Sequence, residues 1–226
     1  MTEGTSGEKT VTEAEWLACT DPTPMLEFLR GGASERKLRL FAVACCRQIW
    51  HLLTDERSRK AVEVAERYAD RWASDEQLRA ASSEAAAVGI GFGIQFSAAN
   101  AAHFAALPGR VFADRCGMYA ARAVADPAEP AGQASLLRCL GGNPFRCVAV
   151  TSSLLSWNNS AVIRLAQTAY EERHLQSGTL SISRLAVLAD ALEEAGYTDT
   201  DILGHLRGPG PHVRGCWPVD LLLGKS

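Results

Sequence analysis

The residues best equipped to do chemistry gather near the end of the chain. His205, His212, Cys216 and Asp220 bring two imidazoles, a thiol and a carboxylate into one short stretch. If Pro211 opens a helix, His212, Cys216 and Asp220 fall at i, i+4 and i+8 on one face, while Val213, Trp217 and Leu221 share another. His205 would supply a fourth donor across the turn Gly208-Pro209-Gly210-Pro211. Nitrogen, sulfur and carboxylate donors in this number suit zinc. Three features weigh against that. Pro218 is expected to remove an amide donor and kink the helix, no Cys-x-x-Cys knuckle accompanies the motif, and a single cysteine on an amphipathic helix is ordinarily core. Zinc is therefore the rival reading, and no cofactor is favoured. A nucleophilic Cys216 with His212 as its base is poorly aimed from the same helix, so no catalytic residue is assigned. Gly89-Ile90-Gly91-Phe92-Gly93 lacks the spacing and the preceding strand of a dinucleotide fingerprint.

The elements that would hold such a group are helical. The stretch Ser34 to Leu53 carries apolar residues at Leu38, Ala42, Cys45, Ile49 and Leu52, widened by Phe41, Ala44 and Leu53, and is predicted to be the central buried helix. Arg47, Gln48 and His51 form its only polar strip. Arg36, Lys37 and Arg39 crowd its first turns, where the helix dipole disfavours cations, and Glu35 offsets part of this at i,i+4 from Arg39. These cations would either meet an acidic partner or be solvated and paired with Glu63 and Glu66.

Two short helices precede the central one. The first is opened by a capping box, Thr12-x-x-Glu15, and the second starts at the prolines after Asp21 and stops at Gly31-Gly32. An amphipathic helix over Glu56 to Trp72 buries Ala61, Ala65, Tyr68 and Trp72, and Ser74-x-x-Gln77 opens another. The run Ala85 to Leu107 has no charged residue, yet its alanines, glycines, Gln95, Asn100 and His103 suit a buried or interface helix better than a membrane span. Gly89, Gly93, Ser97 and Ala101 would form its small-residue ridge for close approach. Further helices are expected around Phe112 to Ala123, Leu136 to Leu140, Asn159 to Tyr170, Leu185 to Leu192 and Asp199 to Leu206, with Cys147 to Thr151 the one strand-like run.

At 226 residues, 47% of them hydrophobic and 22% charged, the chain can bury a sizeable core. A net charge of −3 disfavours general nucleic-acid binding. A helical nucleic-acid binder working through Arg36, Lys37 and Arg39 is the third reading. The polar start shows no signal-peptide pattern, so a cytoplasmic location is expected. Seven cysteines, an odd and scattered number, read as reduced residues, mostly core.

Several segments together resemble a large paralogous family of uncharacterised planctomycete proteins. They are Thr12 to Leu26, Arg36 to Ala42 with Cys45-Cys46-Arg47 and Ile49 to Leu53, Gly142 to Arg146, Leu188 to Gly196, and Gly210 to Trp217. The resemblance spans Thr12 to Lys225 and implies no activity. Family members tend to carry Val in place of Pro218 and Cys in place of Tyr197 and Leu206, and tend to begin at Thr12-Glu13.

The expectation is an all-α, multi-helix domain of eight to ten helices. Residues 1–11 form a disordered extension, 12–126 an N-terminal helical part, 127–135 a linker, and 136–226 a C-terminal part packed as a second layer. The favoured function is a non-catalytic protein-interaction or scaffold module. Its unknown partner, or a second copy, would be met through Arg36, Lys37, Arg39, Gly89, Gly93 and Trp217. A zinc-binding protein or metal-dependent enzyme using His205, His212, Cys216 and Asp220 stands as the alternative.

Overall fold

A computed structural model describes residues 11–89, 93–107, 112–124 and 126–225. The chain is all-α, with twelve α-helices among the described residues, more than the eight to ten that the periodicity suggests. In order these are α1 (Glu13–Ala18), α2 (Pro22–Leu29), α3 (Glu35–Gln48), α4 (Glu56–Ala69), α5 (Asp75–Val88), α6 (Ile94–Ala106), α7 (Ala113–Val124), α8 (Glu129–Gly141), α9 (Ser152–Glu171), α10 (Ile182–Glu194), α11 (Thr200–Arg207) and α12 (Trp217–Leu222).

Local rules set most of the starts. Thr12 and Ser74 form reciprocal capping boxes with Glu15 and Gln77. Asp21, Ser34, Asp55 and Asp199 each accept a hydrogen bond from the first turn of the helix they precede.

α3 is the hub, packed against α4, α6, α7 and α8. Ten of its residues are buried, Phe41 and Cys45 completely, and each large apolar side chain so enclosed contributes about 1.5–3 kcal/mol. The helix ends at Gln48, and Trp50–Leu52 continue as a 3-10 turn, so it is shorter than the sequence suggests. Arg47, expected on its open polar strip, is buried: its guanidinium pairs with Glu66 of α4 at 2.7 Å and covers the ring of Trp50.

Four further expectations are corrected. The run over 85–107 is two helices, with α5 capped at Gly89 and α6 starting after Gly93, so Gly89, Gly93, Ser97 and Ala101 do not form one ridge. Among the described residues no helix is long and apolar enough to cross a membrane. Trp72 lies beyond the end of α4 and is 63% exposed, because Arg71 takes a left-handed conformation that turns the chain away. α8 begins at Glu129, inside the stretch expected to be a linker. The helix expected from Asn159 to Tyr170 is part of α9, which starts at Ser152, and Asn159 lies within the left-handed kink at Asn158–Ser160 that divides it.

Candidate metal centre

The stretch after α11 is not a helix from Pro211. Residues 208–216 form a loop that returns across α3 and α8, and Cys216 ends it at the N-cap position of α12. Pro218 sits in the first turn of α12, where its missing N–H costs nothing, so it starts a helix and does not kink one.

Two glycines allow the loop to lie this close. Gly215 has φ +93°, and a Cβ there would stand 2.7 Å from methyls of both Leu40 and Leu140. Gly142, at the end of α8 with φ +65°, lies against the indole of Trp217, 3.0 Å from a Cβ placed on it. Backbone bonds fix the rest. Leu180 N–H donates to the His212 carbonyl at 2.8 Å, beside a single antiparallel bridge between Thr179 and Val213.

The result is a cluster of four donors: Cys139 from the last turns of α8, His205 from the last turn of α11, and His212 and Cys216 from the loop. Their ligand atoms all lie within 4.8 Å of one another. His205 Nε2 is 3.3 Å from Cys216 Sγ, and His212 Nδ1 is 4.0 Å from the same sulfur. Zinc with Zn–S near 2.3 Å and Zn–N near 2.0–2.1 Å places tetrahedral donors about 3.3–3.8 Å apart, so these separations fit one ion with small adjustments. His212 donates from Nε2 to the Gly208 carbonyl at 3.0 Å, which leaves Nδ1 unprotonated and facing the cluster. The imidazoles of His205 and His212 meet edge to face at 4.9 Å, and Trp217 covers His205 with ring centroids 5.8 Å apart. Both sulfurs are buried, and His205 is half-buried.

Electrostatics prepare the sulfurs for a cation. The hydrogen bond from Cys216, helped by both histidines, holds the Cys139 thiol well below its ordinary range despite burial. Burial and the neighbouring Cys139 sulfur push the Cys216 thiol up. Burial opposes an imidazolium at His212, but the Cys139 sulfur and the Gly208 carbonyl outweigh it and raise its pKa.

Of the four residues the sequence singles out, the structure brings His205, His212 and Cys216 together and places Asp220 elsewhere. The Asp220 carboxylate, carried on α12, is not among the clustered donors and is taken up by partners from α3 and α9. Arg36 reaches it at 2.5 and 3.1 Å, Lys37 at 2.5 Å, and the Tyr170 hydroxyl donates to it at 2.6 Å. Burial pushes this carboxyl up, but Lys37 and Arg36 more than compensate and hold it below the usual carboxylate range. Lys37 also donates to the Gly215 carbonyl at 2.6 Å, and Gly215 N–H donates to the Tyr170 hydroxyl at 3.1 Å. Asp220 thus orients the two groups that clamp the backbone next to Cys216.

The three cations in the first turns of α3, Arg36, Lys37 and Arg39, are committed inside the chain, not to Glu63 and Glu66. Arg36 bonds Asp70 at 2.9 Å as well as Asp220, and Arg214 closes the other side of Asp70. Arg39 is 5% exposed; it pairs with Glu35 and donates to the carbonyls of Ala105 and Leu107 at the end of α6. Gly89 packs against the side chain of Asn100, and among the described residues nothing lies within 4 Å of a Cβ placed on Gly93.

Cys139 is the donor that sequence reasoning misses. It lies far upstream, among Leu136, Leu137 and Leu140, where its pattern is that of an ordinary core residue. No family model, curated protein or solved structure matches this chain.

Proposed function

We propose that this chain is a zinc-binding helical protein whose metal is structural. The observation that carries the reading is the convergence of Cys139, His205, His212 and Cys216, two sulfurs and two correctly presented imidazole nitrogens, within 4.8 Å. Four protein donors complete a tetrahedral shell and leave no position for water or substrate, which is the signature of a structural site. The ion would tie α8, α11 and the 208–216 loop together, and the loop in turn rests on α3. A rigid, metal-stitched helical body supports a scaffold role toward a protein partner or a second copy, in a reducing compartment such as the cytoplasm. Metal binding in place of Asp220 by Cys139 also explains why the acidic residue can serve the Arg36–Lys37 clamp.

The test is cobalt substitution. Titration of the metal-free chain with Co(II) is expected to give the intense visible bands of a tetrahedral ion and a strong thiolate-to-metal charge-transfer band. Cys139→Ser should weaken the charge-transfer band, and zinc should displace cobalt. Weak, octahedral-type bands without charge transfer would overturn the proposal.

A further inference from the structure

Two pairs of cysteines approach each other in this protein. Cys46 of α3 and Cys116 of α7 have their sulfurs 3.6 Å apart, both fully buried. The Cys116 thiol faces the backbone carbonyls of Ala42 and Ala101 at 3.3 Å each, partners that keep a thiol protonated and inert. Cys139 and Cys216 are also buried, but their neighbours are imidazoles. Of these neighbours His205 is half-buried, and Trp217, which covers it, lines a cleft of about 740 Å³ between α2, α3, α8 and α12.

Resting on the zinc reading above, we infer that Cys139 and Cys216 form a redox-gated pair: a small hydroperoxide converts them to a disulfide and expels the metal. The step balances. In the zinc-loaded chain both sulfurs would be thiolates; Cys216 Sγ, beside His205, attacks the peroxide oxygen, the O–O bond breaks, an S–OH group forms, and the departing hydroxide takes a proton from solvent to become water. Cys139 Sγ then attacks the sulfenic sulfur and displaces its hydroxide, which takes a second solvent proton and leaves as water. The two sulfurs lose two electrons, the peroxide gains them, and Zn(II) leaves unchanged with only two imidazoles to hold it. The sulfurs already lie within 4.8 Å, so bond formation asks for a shift of roughly 2–3 Å. Closer approach alone would favour Cys46 and Cys116. Selectivity for the pair flanked by imidazoles, over the closer pair flanked by backbone carbonyls, is therefore the result that distinguishes metal-site oxidation from simple proximity.

The experiment treats the full chain, loaded with one equivalent of zinc and quantified by elemental analysis, with hydrogen peroxide in the presence of a chromogenic zinc chelator. Peptide mapping after alkylation in denaturant follows. Expected are zinc release in step with peroxide, a cross-linked peptide joining Cys139 to Cys216, alkylated Cys46 and Cys116, and recovery of zinc binding after a dithiol reductant. In Cys139→Ser, Cys216 should stop at the sulfenic or sulfinic stage without a cross-link. Zinc retained with both thiols intact overturns the inference, as does release with Cys46–Cys116 linked or with both ligand sulfurs over-oxidised and unlinked. A chain that takes up no zinc before peroxide is added overturns the metal reading itself. Mapping that same sample still shows whether Cys139 and Cys216 pair selectively.

Discussion

Replacing Asp220 with Asn removes one charge from a buried network while keeping the side chain's size. The wild-type carboxylate is 1% exposed and is met by Arg36, Lys37 and Tyr170, all at 2.5 or 2.6 Å in their shortest contacts. Breaking one side of such a buried ion pair costs about 3–5 kcal/mol, because Lys37 loses its carboxylate and keeps only the Gly215 carbonyl while Arg36 is left with Asp70 alone. In a chain of this length each kcal/mol corresponds to about 2–4 °C in Tm, so a drop on the order of 6–20 °C is expected. Lys37 and Tyr170 also clamp Gly215 beside Cys216, so zinc affinity should fall by about 10–100-fold while the stoichiometry stays at one. Thermal unfolding at saturating zinc reads the first effect, and competition with a chelator of known affinity reads the second. Arg207→Ala is the control: its ion pairs with Asp190 and Glu193 lie on the surface, where solvent screens them, and their loss should move Tm far less. If Asp220→Asn is as mild as that control, Asp220 does not organise the loop and the reasoning fails.

Acid should expose the same network. Asp70 and Asp220 are held below the ordinary carboxylate range, Asp70 because Arg214 and Arg36 outweigh its burial. A lowered folded pKa contributes stability that is complete above the unfolded value, about 3.9, and is lost as pH falls through the folded one. Denaturant midpoints of metal-free protein should therefore drop below about pH 4, and Asp70→Asn should flatten that drop; an unchanged slope would count against the pairing. Gly215→Ala forces a side chain into a left-handed backbone and against Leu40 and Leu140, at a cost of about 1–3 kcal/mol and with weaker zinc binding. Gly196→Ala, with φ +83° and nothing within 4 Å, should cost about 1–2 kcal/mol and leave zinc binding untouched; equal zinc affinities in the two variants would refute the role of Gly215.

What the sequence makes legible is whatever depends on near neighbours. The capping boxes at Thr12 and Ser74, the proline start of α2 and the apolar stripe of α3 all follow from residues a few positions apart. Features that depend on distant chain are hidden. Arg47 looks like a solvent residue because its partner, Glu66, and the covering 175–178 segment arrive from elsewhere. The alanine-rich run over 85–107 keeps its apolar character through the Gly89–Gly93 break, so composition alone cannot divide α5 from α6. At the candidate centre, the i, i+4, i+8 spacing of His212, Cys216 and Asp220 imitates a helical face that a loop and an N-cap actually occupy. The correct fourth donor, Cys139, has no spacing relation to the other three; only the packing of α8 under the returning loop brings it there.

The most direct test is the zinc content of the full-length chain, measured by elemental analysis after reconstitution and removal of loosely bound metal. One zinc per chain is expected in wild type and in Asp220→Asn, and a loss of tightly bound zinc in Cys139→Ser and His212→Ala. A wild-type chain that keeps no zinc, or a Cys139→Ser chain that binds it as tightly as wild type, would contradict the assignment of this centre.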